Sequence, residues 1–152
     1  MKKFKFSLQS LHNYKKTVEK IQLGELRRAQ QALRELMNEK QRLLDAFAQN
    51  ERSLAEALRK KENVGVALTE HDIFFKFLRD ALAEVEIKII KAEEVRDACR
   101  DRLVITMREI KTLLKLKDEQ YQVWLKEAQA ETDREIDDLV SFNTVNEAAG
   151  AQ

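Results

Sequence analysis

Two histidines and one cysteine are the side chains of this sequence that are best suited to metal binding or nucleophilic chemistry. His12 and His71 lie far apart in the sequence, and neither has a cysteine nearby. A zinc site needs several such ligands at close spacing. A reactive cysteine needs a base or a cationic group beside it, and Cys99 has no histidine near it in the sequence. We therefore predict no catalytic residue, no metal site and no cofactor.

Other catalytic arrangements are also missing from the sequence. It has no glycine-rich phosphate loop, no paired-carboxylate pocket and no Ser–His arrangement. A pair of packed helices, which the pattern below predicts, encloses no cavity that could shield a reaction from water. We expect a protein that is not an enzyme.

Composition favours long helices. Of 152 residues, 36% are charged, none is proline and only three are glycine. The net charge of +1 argues against binding to nucleic acid through bulk charge. The charged residues among the first 30 are nevertheless mostly basic, and those among residues 127–147 are mostly acidic. This suggests that the two termini make contacts of opposite charge. With one cysteine and no signal peptide or membrane span, the expected location is cytoplasmic, and any membrane contact would be made through a partner.

A heptad repeat from Phe75 to Trp124 organises the chain. Its a and d positions form a mostly apolar seam, about 75 Å long at 1.5 Å per residue, that must pack against another helix. These positions are Phe75, Leu78, Leu82, Val85, Ile89, Ala92, Arg96, Cys99, Leu103, Thr106, Ile110, Leu113, Lys117, Gln120 and Trp124.

A first helix is predicted from the N-cap Ser7 onward. Its seam would start with Leu11, Tyr14, Val18 and Ile21, slip by one residue near Gly24, and resume in a new phase. The resumed positions are Leu26, Ala29, Leu33, Leu36, Lys40, Leu43, Phe47, Asn50, Leu54 and Ala57.

The link between the helices is predicted from glycine and capping signals. Gly65 would supply the left-handed residue that ends the first helix, and Thr69 with Asp72 would cap the second. The predicted fold is all-α, a long two-helix antiparallel coiled-coil hairpin forming one domain over residues 1–152. It comprises a helix at about 8–61, a turn at about 62–69, a helix at about 70–140 and a flexible tail at 141–152. Pairing Ala57 with Phe75 places Lys40 against Ala92, and an offset of one heptad stays open.

Three groups of apolar residues are not explained by this seam. Ile73, Phe74 and Phe77 lie beside the turn, where they would either cover Val64, Val66 and Leu68 or form an exposed patch for another protein. Met107, Leu114 and Tyr121 repeat at an e position, where they would either thicken the core or dock a third helix. Ile136, Leu139, Val140 and Phe142 give the acidic segment an apolar side without an internal partner, which suggests an external one.

Three segments resemble the flagellar export protein family FliJ. They are the opening Phe4-Lys-Phe-Ser-Leu-Gln-Ser-Leu with the Tyr-Lys-Lys that follows it, the stretch Phe74-Phe-Lys-Phe-Leu-Arg-Asp-Ala-Leu, and the acidic Asp133-Arg-Glu-Ile-Asp-Asp. The resemblance covers roughly residues 3–140. It implies an antiparallel coiled coil similar to the central stalk of rotary ATPases, acting in flagellar type III protein export and therefore in motility.

The resemblance also implies partners and a location. The partners are the hexameric export ATPase, the membrane protein of the export gate and export chaperones, at the cytoplasmic face of the cell membrane. On this interpretation Ile73, Phe74 and Phe77 face the gate, while Met107, Leu114, Tyr121, Ile136 and Leu139 face the ATPase. The alternatives are a holdase-like chaperone or adaptor, and a structural coiled-coil dimer without a hairpin.

Overall fold

Two helices make up the protein. The computed structural model describes residues 2–151, and these form α1 (Gln9–Lys60) and α2 (Val64–Gly150) with no strand among them. The helices pack against each other as a hairpin, which confirms the predicted all-α fold. Contacts divide the chain into a turn unit, Lys20–Val104, and a terminal unit, Met1–Glu19 with Ile105–Gln152. The interpretation of the chain as one domain stays a prediction.

The turn is shorter than the sequence suggested. It spans residues 61–63, where Lys61 (φ 56°) and Asn63 (φ 47°) take the left-handed conformation assigned to Gly65. The Asn63 carbonyl accepts a hydrogen bond from the Ala67 amide at 2.9 Å, so α2 begins at Val64 rather than near residue 70. Thr69 does not cap this helix, because its hydroxyl donates to the Gly65 carbonyl inside the helix at 2.9 Å. The prediction of a turn over 62–69 is therefore wrong.

The C-terminal end also differs from the prediction. Residues 141–150 continue α2 instead of forming a flexible tail, and Gln152 lies outside the described residues. This segment contains no proline, and its only glycine is the last helical residue, Gly150. Nothing in its sequence therefore ends the helix earlier.

In the turn unit the predicted seam is correct from Leu26 onward. Its a and d positions on both helices are buried or half-buried there, and the best covered apolar ones are Leu33, Leu78, Val85, Cys99, Leu103 and Ala29. The register is about one heptad from the favoured pairing, because the turn is shorter. Phe75 packs on Phe47, with ring centroids 4.8 Å apart, instead of facing Ala57, and Lys40 forms an ion pair with Glu86 at 3.7 Å.

One buried polar pair interrupts the apolar core of the turn unit. Asn50 is 7% exposed, and its amide group donates to the His71 carbonyl at 3.4 Å. The imidazole Nδ1 of His71 is hydrogen-bonded to the side-chain oxygen Oδ1 of Asn50. A polar residue that is satisfied by one particular partner fixes the register of two packed helices at some cost in stability.

In the terminal unit the predicted seam of α1 is wrong. Leu11 and Tyr14 are exposed and Val18 is half-buried, while the half-buried positions facing α2 are His12, Lys15 and Glu19. These three, with Gln22 of the turn unit, continue the heptad phase of Leu26 and Ala29 without a slip, and Ile21 is consequently exposed. An uninterrupted helix keeps the phase set by its larger apolar section.

The start of α1 is held by side chains of α2. The helix begins at Gln9, and the Ser7 hydroxyl does not cap it but donates to the side-chain oxygen of Gln120 at 3.4 Å. Phe6 is buried, and Thr106, Ile110 and Leu113 are buried on α2. The ring of Phe4 lies 5.2 Å from that of Tyr121. The apolar core of the terminal unit therefore comes mainly from α2 and from residues that precede α1.

Candidate functional site

The turn unit exposes an aromatic patch on α2, which we call the turn patch (Ile73, Phe74 and Phe77). Ile73 is 66% exposed and Phe77 63%, and Val66 and Leu68 are exposed as well. The interpretation in which the patch covers Val66 and Leu68 therefore does not hold. The seam residues Phe75 and Leu78 next to the patch point inward instead.

The two aromatic rings of the turn patch pack against each other. Phe74 and Phe77 stack with centroids 6.3 Å apart and an interplanar angle of 17°. Residues three apart on a helix lie side by side, so the two rings form one continuous apolar face. Side chains that are already held in place lose less conformational entropy on binding, and aromatic residues are common anchors in interfaces.

A second apolar surface lies on α2 in the terminal unit. It is the α2 stripe (Met107, Leu114 and Tyr121), whose members are seven residues apart and exposed. Tyr121 is partly covered, because its ring contacts Phe4 and stacks on Trp124 at 5.6 Å. Only this end of the stripe thickens the core, and Met107 and Leu114 remain available to a further helix.

Beyond the α2 stripe, α2 continues as the acidic tail (residues 129–151). Ala128 is the last buried residue, and every described residue after it is exposed. Ile136 and Leu139 belong to this segment, as do Val140 and Phe142, so no described residue covers them. This exposure leaves the apolar residues of the acidic tail without cover from the described chain.

The reactive side chains are not brought together. His12 is in the terminal unit, with both ring nitrogens buried and without a hydrogen-bond partner, whereas His71 is bonded to Asn50 in the turn unit. Cys99 is buried, and the Arg102 guanidinium lies 3.4 Å from its sulfur. Among residues 2–151 no group of three or more His, Cys, Asp or Glu side chains is placed to hold a metal ion. None of the described helices has a stretch apolar enough to cross a membrane.

One apolar surface, on α1, is not predicted from the sequence. The heptad spacing predicts Leu11, Tyr14 and Val18 in the core, but Leu11 and Tyr14 are exposed and Val18 is half-buried, so they form a stripe beside the face that contacts α2. The signal that could have revealed it is the phase of the polar residues, because His12, Lys15, Glu19 and Gln22 are in register with Leu26 and Ala29. Apolar spacing alone favoured the wrong face of this helix.

Comparison with known proteins gives one match. A family model described as "Flagellar FliJ protein" matches residues 4–149, a range that includes the turn patch, the α2 stripe and most of the acidic tail. Neither the curated proteins nor the solved structures yielded a match. The family match spans nearly the whole chain and confirms the resemblance seen in the sequence. The chain therefore belongs to the flagellar FliJ protein family and is a component of the flagellar protein export apparatus.

Proposed function

We propose that this chain is a non-enzymatic coupling stalk of the flagellar export apparatus, which binds the export ATPase ring and links it to the export gate and to export chaperones. The observation that carries this proposal is the exposure of separate apolar surfaces in the two units, the turn patch in one and the α2 stripe with the acidic tail in the other. Exposed apolar patches of this kind are typical of protein interaction sites.

The turn patch is assigned to the membrane protein of the export gate. Its stacked rings offer two neighbouring anchors, and truncation of one interface anchor commonly costs about 2 kcal/mol of binding free energy or more. The assignment of this side to the gate follows the family resemblance. The same rings also suit a holdase-like chaperone or adaptor, which is the second candidate function.

The α2 stripe, together with Ile136 and Leu139 of the acidic tail, is assigned to the ATPase ring. Met107 and Leu114 are exposed at a heptad spacing, as expected for a helix that receives further helices. Acidic residues around Ile136 and Leu139 would steer the tail toward a basic surface of the partner.

Binding to the gate is tested with Phe77→Ala and with the control Ile87→Ala, which truncates another exposed residue of α2 in the turn unit. In pull-downs on the gate protein we expect Phe77→Ala to weaken binding about tenfold or more and to reduce secretion and motility. Ile87→Ala should behave as the unchanged protein in both assays. Equal binding by both variants would show that the turn patch is not the gate contact.

ATPase stimulation separates the coupling stalk from a chaperone. A stalk should raise the turnover of the export ATPase, and Leu114→Ser should reduce that effect, whereas Ile105→Ser, also exposed in the terminal unit, should not. A protein that suppresses aggregation of unfolded substrates but leaves ATP turnover unchanged would instead be the holdase-like chaperone.

A further inference from the structure

The α1 stripe (Leu11, Tyr14 and Val18) is an apolar helix face of the terminal unit that the described chain covers only at Val18, which is half-buried. Tyr14 is 62% exposed and Leu11 41%, and the three residues follow the a and d spacing of a coiled coil. The adjacent face of this helix contacts α2, because Lys15, one turn after Leu11, forms an ion pair with Glu109. The stripe is therefore available to an additional helix.

The acidic tail has the properties of such a helix. It is helical through Gly150 and exposed along its length. Ile136, Leu139 and Val140 are three and four residues apart, so they share one face. The helical part of the tail is about 33 Å long at 1.5 Å per residue, whereas the stretch from Leu11 to Val18 needs only about 10 Å.

Charge indicates what each surface binds. The segment that carries the α1 stripe has Lys2, Lys3, Lys5, Lys15 and Lys16 against Glu19. The tail has Glu131, Asp133, Glu135, Asp137, Asp138 and Glu147 against Arg134. Pairing two tails would bring like charges together, whereas pairing a tail with the basic segment brings opposite charges together. A tail cannot reach the stripe of its own molecule, because α2 runs on as one helix through this region.

We propose that the acidic tail of one molecule packs on the α1 stripe of a second copy of this chain, and that the second copy returns the contact. Each protomer then supplies one tail and one stripe, so a two-fold dimer covers both surfaces and closes the assembly. This self-association is a property of the isolated chain, and it uses the tail face that the proposed function assigns to the ATPase ring, so the two contacts are alternatives.

Sedimentation of the purified full-length protein tests the proposal. We expect a reversible dimer at low salt that weakens as salt is added, because opposite charges are screened. Tyr14→Ser and Leu139→Ser change residues of nearly equal exposure, 62% and 63%, so each should keep the helicity and melting temperature of the unchanged protein. Each variant alone should dimerise about tenfold more weakly or worse. Ile87→Ser, exposed in the turn unit, is the matched control and should dimerise normally.

Mixing the two variants identifies the contact. In a mixed dimer both changes fall in the same tail–stripe contact and the other contact is intact, so the mixed dimer should be tighter than either variant dimer. Three results would each overturn the proposal. They are a monomer at about 0.1 mM protein in low salt, a dimer that neither variant weakens, and a mixture no tighter than the variants alone.

Discussion

The turn unit and the terminal unit are built from the same two helices but bury different kinds of residue. In the turn unit both helices place apolar residues inward, with Asn50 as the most buried polar exception. In the terminal unit α2 does the same, but α1 places His12, Lys15 and Glu19 inward and Leu11 and Tyr14 outward. A heptad repeat of apolar residues therefore identifies a helix face that needs a partner, and that partner is not always the neighbouring helix of the hairpin.

The polar residues that α1 places inward in the terminal unit contribute little to the free energy of unfolding. The Lys15–Glu109 ion pair is partly exposed, and such pairs contribute only about 0–1 kcal/mol. A buried polar group without a hydrogen-bond partner costs about 1–3 kcal/mol, and both ring nitrogens of His12 are in that situation. The pairing of helices in the terminal unit consequently depends on the apolar residues of α2, on Phe6 and on the aromatic contacts of Phe4.

The largest effect is expected where the terminal unit depends on α2. Ile110 is 5% exposed, so Ile110→Asp would bury an unpaired charge and should lower the free energy of unfolding by about 3 kcal/mol or more. Thermal unfolding followed by circular dichroism measures the change. Ile105→Asp, on the same helix and exposed, is the control. If the two variants melt alike, α2 does not form the core of this unit.

In the turn unit, Phe75 and Phe77 provide the next comparison. Phe75→Ala removes a half-buried ring that packs on Phe47, and we expect it to cost about 2 kcal/mol, less than the 3–5 kcal/mol of a fully buried ring. Phe77→Ala should cost about 0.5 kcal/mol or less, because this ring is exposed. Urea unfolding of both variants measures the costs. An equally large loss for Phe77→Ala would place that ring in the core.

The corrected phase of α1 is tested by Leu26→Ser and Ile21→Ser. Leu26 is half-buried on the inward face, so Leu26→Ser should lower the free energy of unfolding by about 1–2 kcal/mol. Ile21 is exposed, so Ile21→Ser should change it by less than about 0.5 kcal/mol. The free energies of unfolding come from denaturant titrations. A loss for Ile21→Ser as large as that for Leu26→Ser would restore the phase slip near Gly24.

A smaller effect of opposite sign is expected at His12. Replacing His12 with Leu removes two unpaired buried nitrogens and fills the space with apolar atoms, so it should stabilise the protein by about 1 kcal/mol. His12→Gln is the control, because it keeps a polar group in the same place. A melting temperature that falls for His12→Leu would show that the polar interior of the terminal unit contributes to stability.

The smallest effect concerns the acidic tail. Changing Asp133, Glu135, Asp137 and Asp138 together to Ala should alter the free energy of unfolding by no more than about 0.5 kcal/mol, since all four are exposed beyond the last buried residue. The same variant should bind partners more weakly and with less dependence on salt. A clear loss of stability would mean that the tail packs on the hairpin.

Much of the fold follows from the sequence because one heptad phase holds from Phe75 to Trp124, and every residue of that seam is buried or half-buried. The register was misplaced because Gly65 is the stronger sequence signal for a left-handed residue, yet Lys61 and Asn63 adopt that conformation. Lysine in this conformation is not apparent from its residue type, since only glycine and, less often, Asn or Asp favour it.

The sequence predicts the exposed turn patch but not the exposed residues of α1. Ile73, Phe74 and Phe77 were singled out because they exceed what one seam can bury, and all three are exposed. Their roles, and those of Met107, Leu114, Tyr121, Ile136 and Leu139, stay predictions until binding is measured. Leu11 and Tyr14 were missed because heptad spacing shows that a face is apolar but does not show which helix covers it.

The short turn at residues 61–63 also sets an order of folding. The Asn50–His71 contact closes a loop of 21 residues, whereas the Ser7–Gln120 contact closes one of 113. If the chain between is still unfolded, the longer closure costs about 1.5 kcal/mol more in chain entropy. Pairing that starts at the turn and propagates along both helices avoids this extra cost. During synthesis the basic N-terminal segment is made long before residues 105–128 of α2. Its aromatic residues therefore cannot pack against α2 until almost the whole chain has been synthesised.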